Sequence, residues 1–189
     1  GDWSSDVCSS DLNAEKLSPV ENAYACLYDK SILEKEGMYN ENFKTAEDME
    51  LNQRLNDRGY KLYVNPEAIT YYYRETTLWK IIPRQFRYGF WRIKLMKYQQ
   101  NYNVKALTPA IFLLAMSFLL ITSFFSVSSL TGLLILIFLY LAADLSAALF
   151  LSFKEAANPF YIAFIIPAIH IGYGAGTICG IFCPRPGKG

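Results

Sequence analysis

ALTPAIFLLAMSFLLITSFFSVSSLTGLLILIFLYLAADLSAALFLSF, residues 106–153, holds a single charged side chain, Asp144. A water-soluble helix keeps a polar face, and this run has none. It divides into two apolar stretches, 107–127 and 130–153, each near the ~20 residues that cross a hydrocarbon core ~30 Å thick. The link Ser128-Ser129 leaves room only for a tight helical hairpin. After a second link at 154–158, a third apolar stretch covers 159–182. The sequence therefore predicts a transmembrane region of about three helices over 106–183 and a short tail at 184–189.

Several residues inside these spans are polar or small. Asp144 is costly in lipid and calls for a polar partner or a water-lined path; a helix–helix hydrogen bond is the plainer use. His170 is expected either to pack or to contact a lipid-linked ligand. Gly172, Gly174, Gly176 and Gly180 follow no soluble strand, so a dinucleotide loop is rejected; Gly176 and Gly180 fit close helix packing. Cys179 and Cys183 are four apart and are expected to share a packing face. With Cys26 and a single His, they make a zinc site or disulfide framework improbable.

Immediately upstream, residues 76–103 carry Lys80, Arg84, Arg87, Arg92, Lys94 and Lys97 and no acid. Trp79, Ile82, Phe86, Phe90 and Trp91 lie among them. The segment 76–105 is expected to be a basic amphipathic helix in the membrane interface, its cations toward anionic headgroups. The same cations should hold the N-terminal part in the cytoplasm.

The remainder of the 189 residues differs in kind. Fourteen of the 18 Lys and Arg fall between Lys16 and Lys97, against 17 acids in all. The near balance argues against a nucleic-acid partner, and the 52% hydrophobic content argues against disorder. Residues 20–28 read as a strand. Asp29 offers an N-cap for a helix stopped by Gly37. Residues 38–44 read as a loop with aromatic anchors Tyr39 and Phe43. Thr45 can cap a helix over 46–58 that buries Leu51 and Leu55 and ends at Gly59. Strands are expected at 60–64 and 68–73, around an Asn65-Pro66 turn; Tyr71, Tyr72 and Tyr73 fit an aromatic ladder. The alternation reads as the later part of an α/β domain over 13–75, too short to cover both faces of a sheet. Residues 1–12 are polar, serine-rich and unlike a signal peptide. Asp2-Trp3-Ser4-Ser5-Asp6-Val7-Cys8-Ser9-Ser10-Asp11-Leu12 resembles a translated sequencing-library adapter, so a longer natural chain, cut near residue 13, is expected.

The residues with the most chemistry are Glu47-Asp48-Met49-Glu50, three carboxylates in the first turn of a helix. Part of this is local: Thr45 and Asp48 have capping-box spacing, acids complement the helix N-terminus, and Glu50 can pair with Arg54. The context adds more. Gly37-Met38-Tyr39-Asn40-Glu41-Asn42-Phe43, then Ala46-Glu47-Asp48-Met49-Glu50-Leu51, Arg54-Leu55, Gly59-Tyr60-Lys61-Leu62 and Asn65-Pro66-Glu67-Ala68, together resemble a family 2 glycosyltransferase of the GT-A fold. The likeness is to the membrane-bound bacterial branch that builds succinoglycan-type exopolysaccharides. Arg84-Gln85-Phe86-Arg87-Tyr88-Gly89 and His170-Ile171-Gly172-Tyr173-Gly174-Ala175-Gly176 also resemble that branch.

The resemblance implies a fold class: the C-terminal part of an α/β GT-A nucleotide-sugar transferase domain, followed by a helical transmembrane region. It implies Asp48 as general base for an inverting transfer, a role suited to a positioned, ionised carboxylate, with Glu47 orienting groups nearby. Arg84, Gln85, Arg87 and Tyr88 correspond loosely to the Gln-x-x-Arg-Trp motif that holds acceptor and diphosphate in processive synthases, and guanidinium groups suit a leaving diphosphate. The altered spacing counts against processivity and, with only three spans, against a polymer channel. No Asp-x-Asp occurs in the chain, so the expected Mg²⁺ or Mn²⁺ and the nucleotide-binding half are assigned to the missing upstream part, and the fragment alone is expected to be inactive. The implied partners are a nucleotide-sugar, a polyprenyl-linked or saccharide acceptor and the bilayer. The implied location is the bacterial inner membrane, multi-pass, with the catalytic part cytoplasmic. The competing reading is a non-catalytic assembly or export partner of a polysaccharide system, with Glu47-Asp48 serving only as a helix cap.

Overall fold

The computed structural model describes residues 18–20, 26–65 and 77–184. The chain divides into two compact units, the first within residues 1–75 and the second over 76–185.

In the first unit, strand β1 (Ser18–Val20) pairs antiparallel with β2 (Leu62–Val64), Pro19 opposite Tyr63. Helix α1 (Lys30–Glu36) starts where the sequence places it: the Asp29 carboxylate accepts from the Ser31 amide at 2.8 Å and the Ser31 hydroxyl at 2.6 Å. These bonds hold the Asp29 carboxyl below the usual carboxylate range. Gly37, at φ 90°, stops the helix in the left-handed region that glycine enters without strain. Helix α2 (Glu47–Asp57) buries Leu51 and Leu55, one turn apart, with Phe43 and Val64. Two expectations are corrected. Residues 26–28 are not strand. Tyr39 is no anchor, since 43% of it is exposed whereas Phe43 is buried. Pro66 of the expected Asn65-Pro66 turn, the 68–73 strand and residues 1–12 lie outside the described residues. The α/β expectation for this unit thus rests on a two-stranded ladder and two helices among the described residues.

The second unit is helical: α3 (Leu78–Gln99), α4 (Val104–Ser123), α5 (Val127–Glu155) and α6 (Pro159–Phe182). The last three are long and apolar enough to cross a membrane. They leave Ile111, Phe118, Ile121, Phe138, Phe150 and Phe164 largely exposed, as helices solvated by lipid do. At 29 residues α5 is about 44 Å long, more than the hydrocarbon core requires. The hairpin turn falls at residues 124–126, not at Ser128-Ser129, which begin α5 instead. Thr122 and Ser123 end α4 by donating back to the carbonyls of Phe118 (2.9 Å) and Leu120 (2.7 Å), and Ser126 takes the extended conformation of an N-cap.

Helix α3 packs chiefly along α6. Its partners advance together along both helices: Ile82 and Gln85 meet Gly172, Phe86 meets Gly176, and Phe90 and Ile93 meet Gly180. The two therefore run in the same direction through this contact. Only glycine allows the approach, because a methyl group at Gly176 would fall on the Phe86 carbonyl oxygen. Gly89 completes the fit from the α3 side, against the Tyr173 carbonyl and the Thr177 amide. On the other side of α6, Gly174 admits Pro109 and Leu113 of α4. Lys97 is not simply a headgroup-facing cation: its ammonium donates to the carbonyls of Gly180, Ile181 and Cys183, closing the C-terminus of α6. Those carbonyls have no helical donor, and a cation there complements the helix dipole. Cys183 lies past the helix end and Cys179 is exposed, so the two do not share a packing face.

Deeper in the unit, the Tyr140 hydroxyl and His170 Nδ1 are 3.0 Å apart, joining α5 to α6, and Phe112 of α4 stacks on Tyr140. Asp144, one turn from Tyr140, is buried, and its Oδ1 has no hydrogen-bond partner among the described residues.

The α3–α6 contact makes a differential prediction. Gly176→Ala should sharply lower the yield of monodisperse, detergent-solubilised protein and its melting temperature. Gly132→Ala, whose added methyl would meet only Leu119 Cδ2 at 3.6 Å, should leave both near the parent. Equal behaviour of the two variants in size-exclusion and thermal-shift assays would contradict this packing.

Candidate active site

The three acids of α2 are sorted by their surroundings. Glu50 is buried and forms an ion pair with Arg54 one turn on, with Oε1 to Nε at 3.1 Å and Oε2 to Nη2 at 3.0 Å. Glu47 and Asp48 are half-buried, and Asp48 Oδ1 accepts from the Met49 amide at 2.7 Å. The capping box is not formed. Ala46 occupies the N-cap in the left-handed region, at φ 69°, with no side-chain cap, and the Thr45 hydroxyl donates to the Lys44 carbonyl at 2.9 Å. A residue in that conformation turns Thr45 away from the first helical amides.

Arg54 does more than neutralise Glu50. Its guanidinium donates to the carbonyls of Glu36 and, at 2.6 Å, Met38. That ties the turn after α1 to α2 through one planar, five-donor group. Glu36 is itself buried, paired with Arg58 and accepting from the Tyr60 hydroxyl at 3.1 Å.

A second contact fixes the face of α2 that carries Asp48. The Tyr28 hydroxyl donates to Asn52 Oδ1 at 2.6 Å. Asn52 is fully buried and lies one turn after Asp48, on the same side of the helix. Tyr28 and Tyr39 pack edge to face, with centroids 6.4 Å apart and planes at 84°. Burial, with smaller contributions from Cys26 and Asp48, pushes the Tyr28 hydroxyl well above the usual phenol range. Burial does the same to Tyr39, with Cys26, Asp48 and Glu47 adding to it. Tyr28 is thus fixed to the α2 face that carries Asp48, and Tyr39 packs on Tyr28. The sequence reading chose Glu47 and Asp48 but missed Tyr28 and Asn52; the four-residue step from Asp48 to Asn52 was the available signal.

The other candidate residues stand on α3. Arg84 and Gln85 are half-buried; Gln85 lies against Gly172, and the buried Nε of Arg84 has no hydrogen-bond partner among the described residues. Arg87 and Tyr88, one turn on, are exposed. Arg84, Arg87 and Tyr88 are neighbours at helical spacing, a pair of guanidinium groups suited to an anion. Among the described residues no group of three His, Cys, Asp or Glu side chains could hold a metal ion.

Comparison with known proteins gives the family. A family model described as "Glycosyl transferase family group 2" matches residues 14–173. The chain belongs to that family. It is also 33% identical over 138 residues to a dolichyl N-acetyl-alpha-D-glucosaminyl phosphate 3-beta-D-2,3-diacetamido-2,3-dideoxy-beta-D-glucuronosyltransferase of Methanococcus voltae. That alignment covers 72% of this chain and 39% of the relative. No solved structure matches the chain.

The Tyr28–Asn52 bond makes a prediction with a pH signature. Tyr28→Phe should speed hydrogen exchange of the α2 amides, corresponding to about 1–2 kcal/mol of lost protection. Because the folded hydroxyl titrates above its unfolded value near pH 10, its contribution is complete below about pH 10 and is lost as pH rises toward the folded value. The gap between parent and variant should therefore stay constant across neutral pH and narrow only in strong alkali. A gap that narrows on acidification would contradict the assignment.

Proposed function

We propose that the full-length protein is an inverting glycosyltransferase that moves a sugar from a nucleotide-sugar to a lipid-linked saccharide in cell-surface or exopolysaccharide synthesis. The observation that carries this reading is the half-buried Glu47-Asp48 pair, held on a fixed face of α2, in a family 2 chain with three membrane-length helices. The Methanococcus voltae relative bears the name of an enzyme acting on a dolichyl-linked sugar phosphate, which supports a lipid-linked acceptor here.

In the proposed reaction, an acceptor hydroxyl oxygen attacks the anomeric carbon of the donor from the face opposite the diphosphate. The new C–O bond forms as the bond from that carbon to the diphosphate oxygen breaks, and the diphosphate leaves with the electron pair. The hydroxyl proton passes to the Asp48 carboxylate, and the anomeric configuration inverts. Glu47 orients the acceptor, and Arg84 and Arg87, with Gln85 and Tyr88, bind the diphosphate or the acceptor end. The membrane helices confine enzyme and lipid-bound acceptor to the same layer, raising their effective concentration. The soluble unit faces the cytoplasm in this reading, where nucleotide-sugars are made, and the organism is a bacterium with the protein in its inner membrane.

The test uses membranes from cells expressing the complete gene. They are supplied with radiolabelled nucleotide-sugars and with two acceptors, dolichyl N-acetyl-alpha-D-glucosaminyl phosphate and a total glycolipid extract of the source cells. Parent membranes should move label into the organic phase. Asp48→Asn should lower the rate by about 10²–10⁴-fold, the range a positioned base supplies, with the protein still present in the membrane. Glu47→Gln should cost less. Undiminished transfer by Asp48→Asn would remove the base assignment. No transfer by the parent to either acceptor would favour the non-catalytic assembly or export partner.

A further inference from the structure

The loop after α1 is built with more rigidity than a connection needs. Gly37 and Met38 both take left-handed backbone, at φ 90° and 58°. Arg54 holds the carbonyls on either side of Gly37, and the Met38 amide donates to the Leu33 carbonyl at 2.8 Å. The Asn40 side chain accepts from the Asn42 amide at 3.0 Å, closing the next turn. Phe43 supplies the buried anchor of this loop. Tyr39, between these fixed points, is left 43% exposed.

We infer that Tyr39 is the platform on which the acceptor sugar ring lies while its hydroxyl is presented to Asp48. The inference deepens the transferase reading and rests on it. Geometry joins the two residues: Tyr39 packs on Tyr28, Tyr28 is bonded to Asn52, and Asn52 stands one turn from Asp48 on α2. Tyr28 can cover at most one face of the Tyr39 ring, since the two planes stand at 84°. A pyranose has one face of axial C–H bonds and a rim of hydroxyls. The first matches the flat, electron-rich face of a phenol ring, and the second can bond the phenol hydroxyl and the neighbouring carboxylates. Burial first, then the charges of Cys26, Asp48 and Glu47, push the Tyr39 hydroxyl up, in keeping with this placement. A ring already held by its loop loses little freedom on binding, which favours affinity. The ligand class is the saccharide acceptor and not the nucleotide-sugar, because contacts lead from the ring through Tyr28 and Asn52 to the helix face of the base, and the base acts on the acceptor hydroxyl.

The test repeats the transfer assay with each active acceptor in a dilution series, using Tyr39→Leu, Tyr39→Phe and Tyr39→Trp in the full-length protein. The leucine variant should raise the acceptor KM on the order of tenfold, with kcat within about twofold and the donor KM unchanged, the pattern of lost ground-state binding. Phenylalanine and tryptophan should restore most of the affinity. A raised donor KM would make the ring a nucleotide platform. A fall in kcat with both KM values unchanged, or phenylalanine as damaging as leucine, would also overturn the inference. If the leucine variant is absent from membranes, nitration of the parent protein decides: the acceptor should protect Tyr39 from tetranitromethane, and equal labelling with and without acceptor would overturn the platform. The two readings separate cleanly. Loss of the Asp48→Asn effect removes the base while the Tyr39 KM pattern can still be read. An inactive parent removes both.

Discussion

The helical unit depends on one constraint, that two backbones can touch. Helices in lipid gain no hydrophobic energy from meeting each other, so association rests on close van der Waals contact and on polar groups with nowhere else to go. The row Gly172, Gly176 and Gly180 removes side chains from one stripe of α6, and Gly89 removes one from α3, so that backbone meets side chain or backbone along the whole contact. Lys97 then uses the same proximity, since its ammonium reaches the α6 carbonyls only because α3 lies so near. The basic segment is thereby fixed to the third membrane-length helix, and the orientation of Arg84, Arg87 and Tyr88 follows from which side of α3 is taken up by α6.

The first unit solves a different problem with a different device. Its described core is small: Phe43, Leu51, Leu55 and Val64 are the buried apolar residues. Burial on that scale cannot by itself specify a loop. Directional bonds do so instead. Arg54 joins an acid of α2 to two carbonyls of the α1 turn, and Glu36 gathers Arg58 and Tyr60. Each buried charge is compensated, so the network constrains geometry without leaving an isolated ion. The candidate base sits on the helix that this network immobilises.

The sequence showed some of this plainly and hid the rest for identifiable reasons. The membrane-length helices were legible because apolar length is a property of contiguous residues; their ends moved by a few residues, and the hairpin turn moved off Ser128-Ser129 because hydroxyl side chains can bond their own helix and need not mark a loop. Asp29 and Gly37 were legible because a cap is a local event. Thr45 was misleading for the opposite reason. The backbone turns left-handed at Ala46, which alanine's own preference does not announce. The contacts of Lys97 with α6 and of Tyr28 with Asn52 span more than eighty and twenty-four positions respectively, and no local pattern announces them. Tyr39 was read as an anchor because aromatic residues in short loops commonly are; only its exposure separates it from Phe43.

That separation bears on how the carboxylate pair should be understood. If Glu47 and Asp48 served only to begin a helix, the economical arrangement would be the capping box, with Thr45 bonding the first amides. The chain places an uncapped alanine there instead, commits Glu50 to Arg54, and leaves Glu47 and Asp48 half-buried and outside that pair. Acids in a first turn are favoured by the helix dipole wherever they occur, so their presence alone says little. Their division into one sealed ion pair and two accessible carboxylates says more. The sealed pair is what a clamp requires, and the accessible two are what a reaction on a bound hydroxyl requires, within the same four residues.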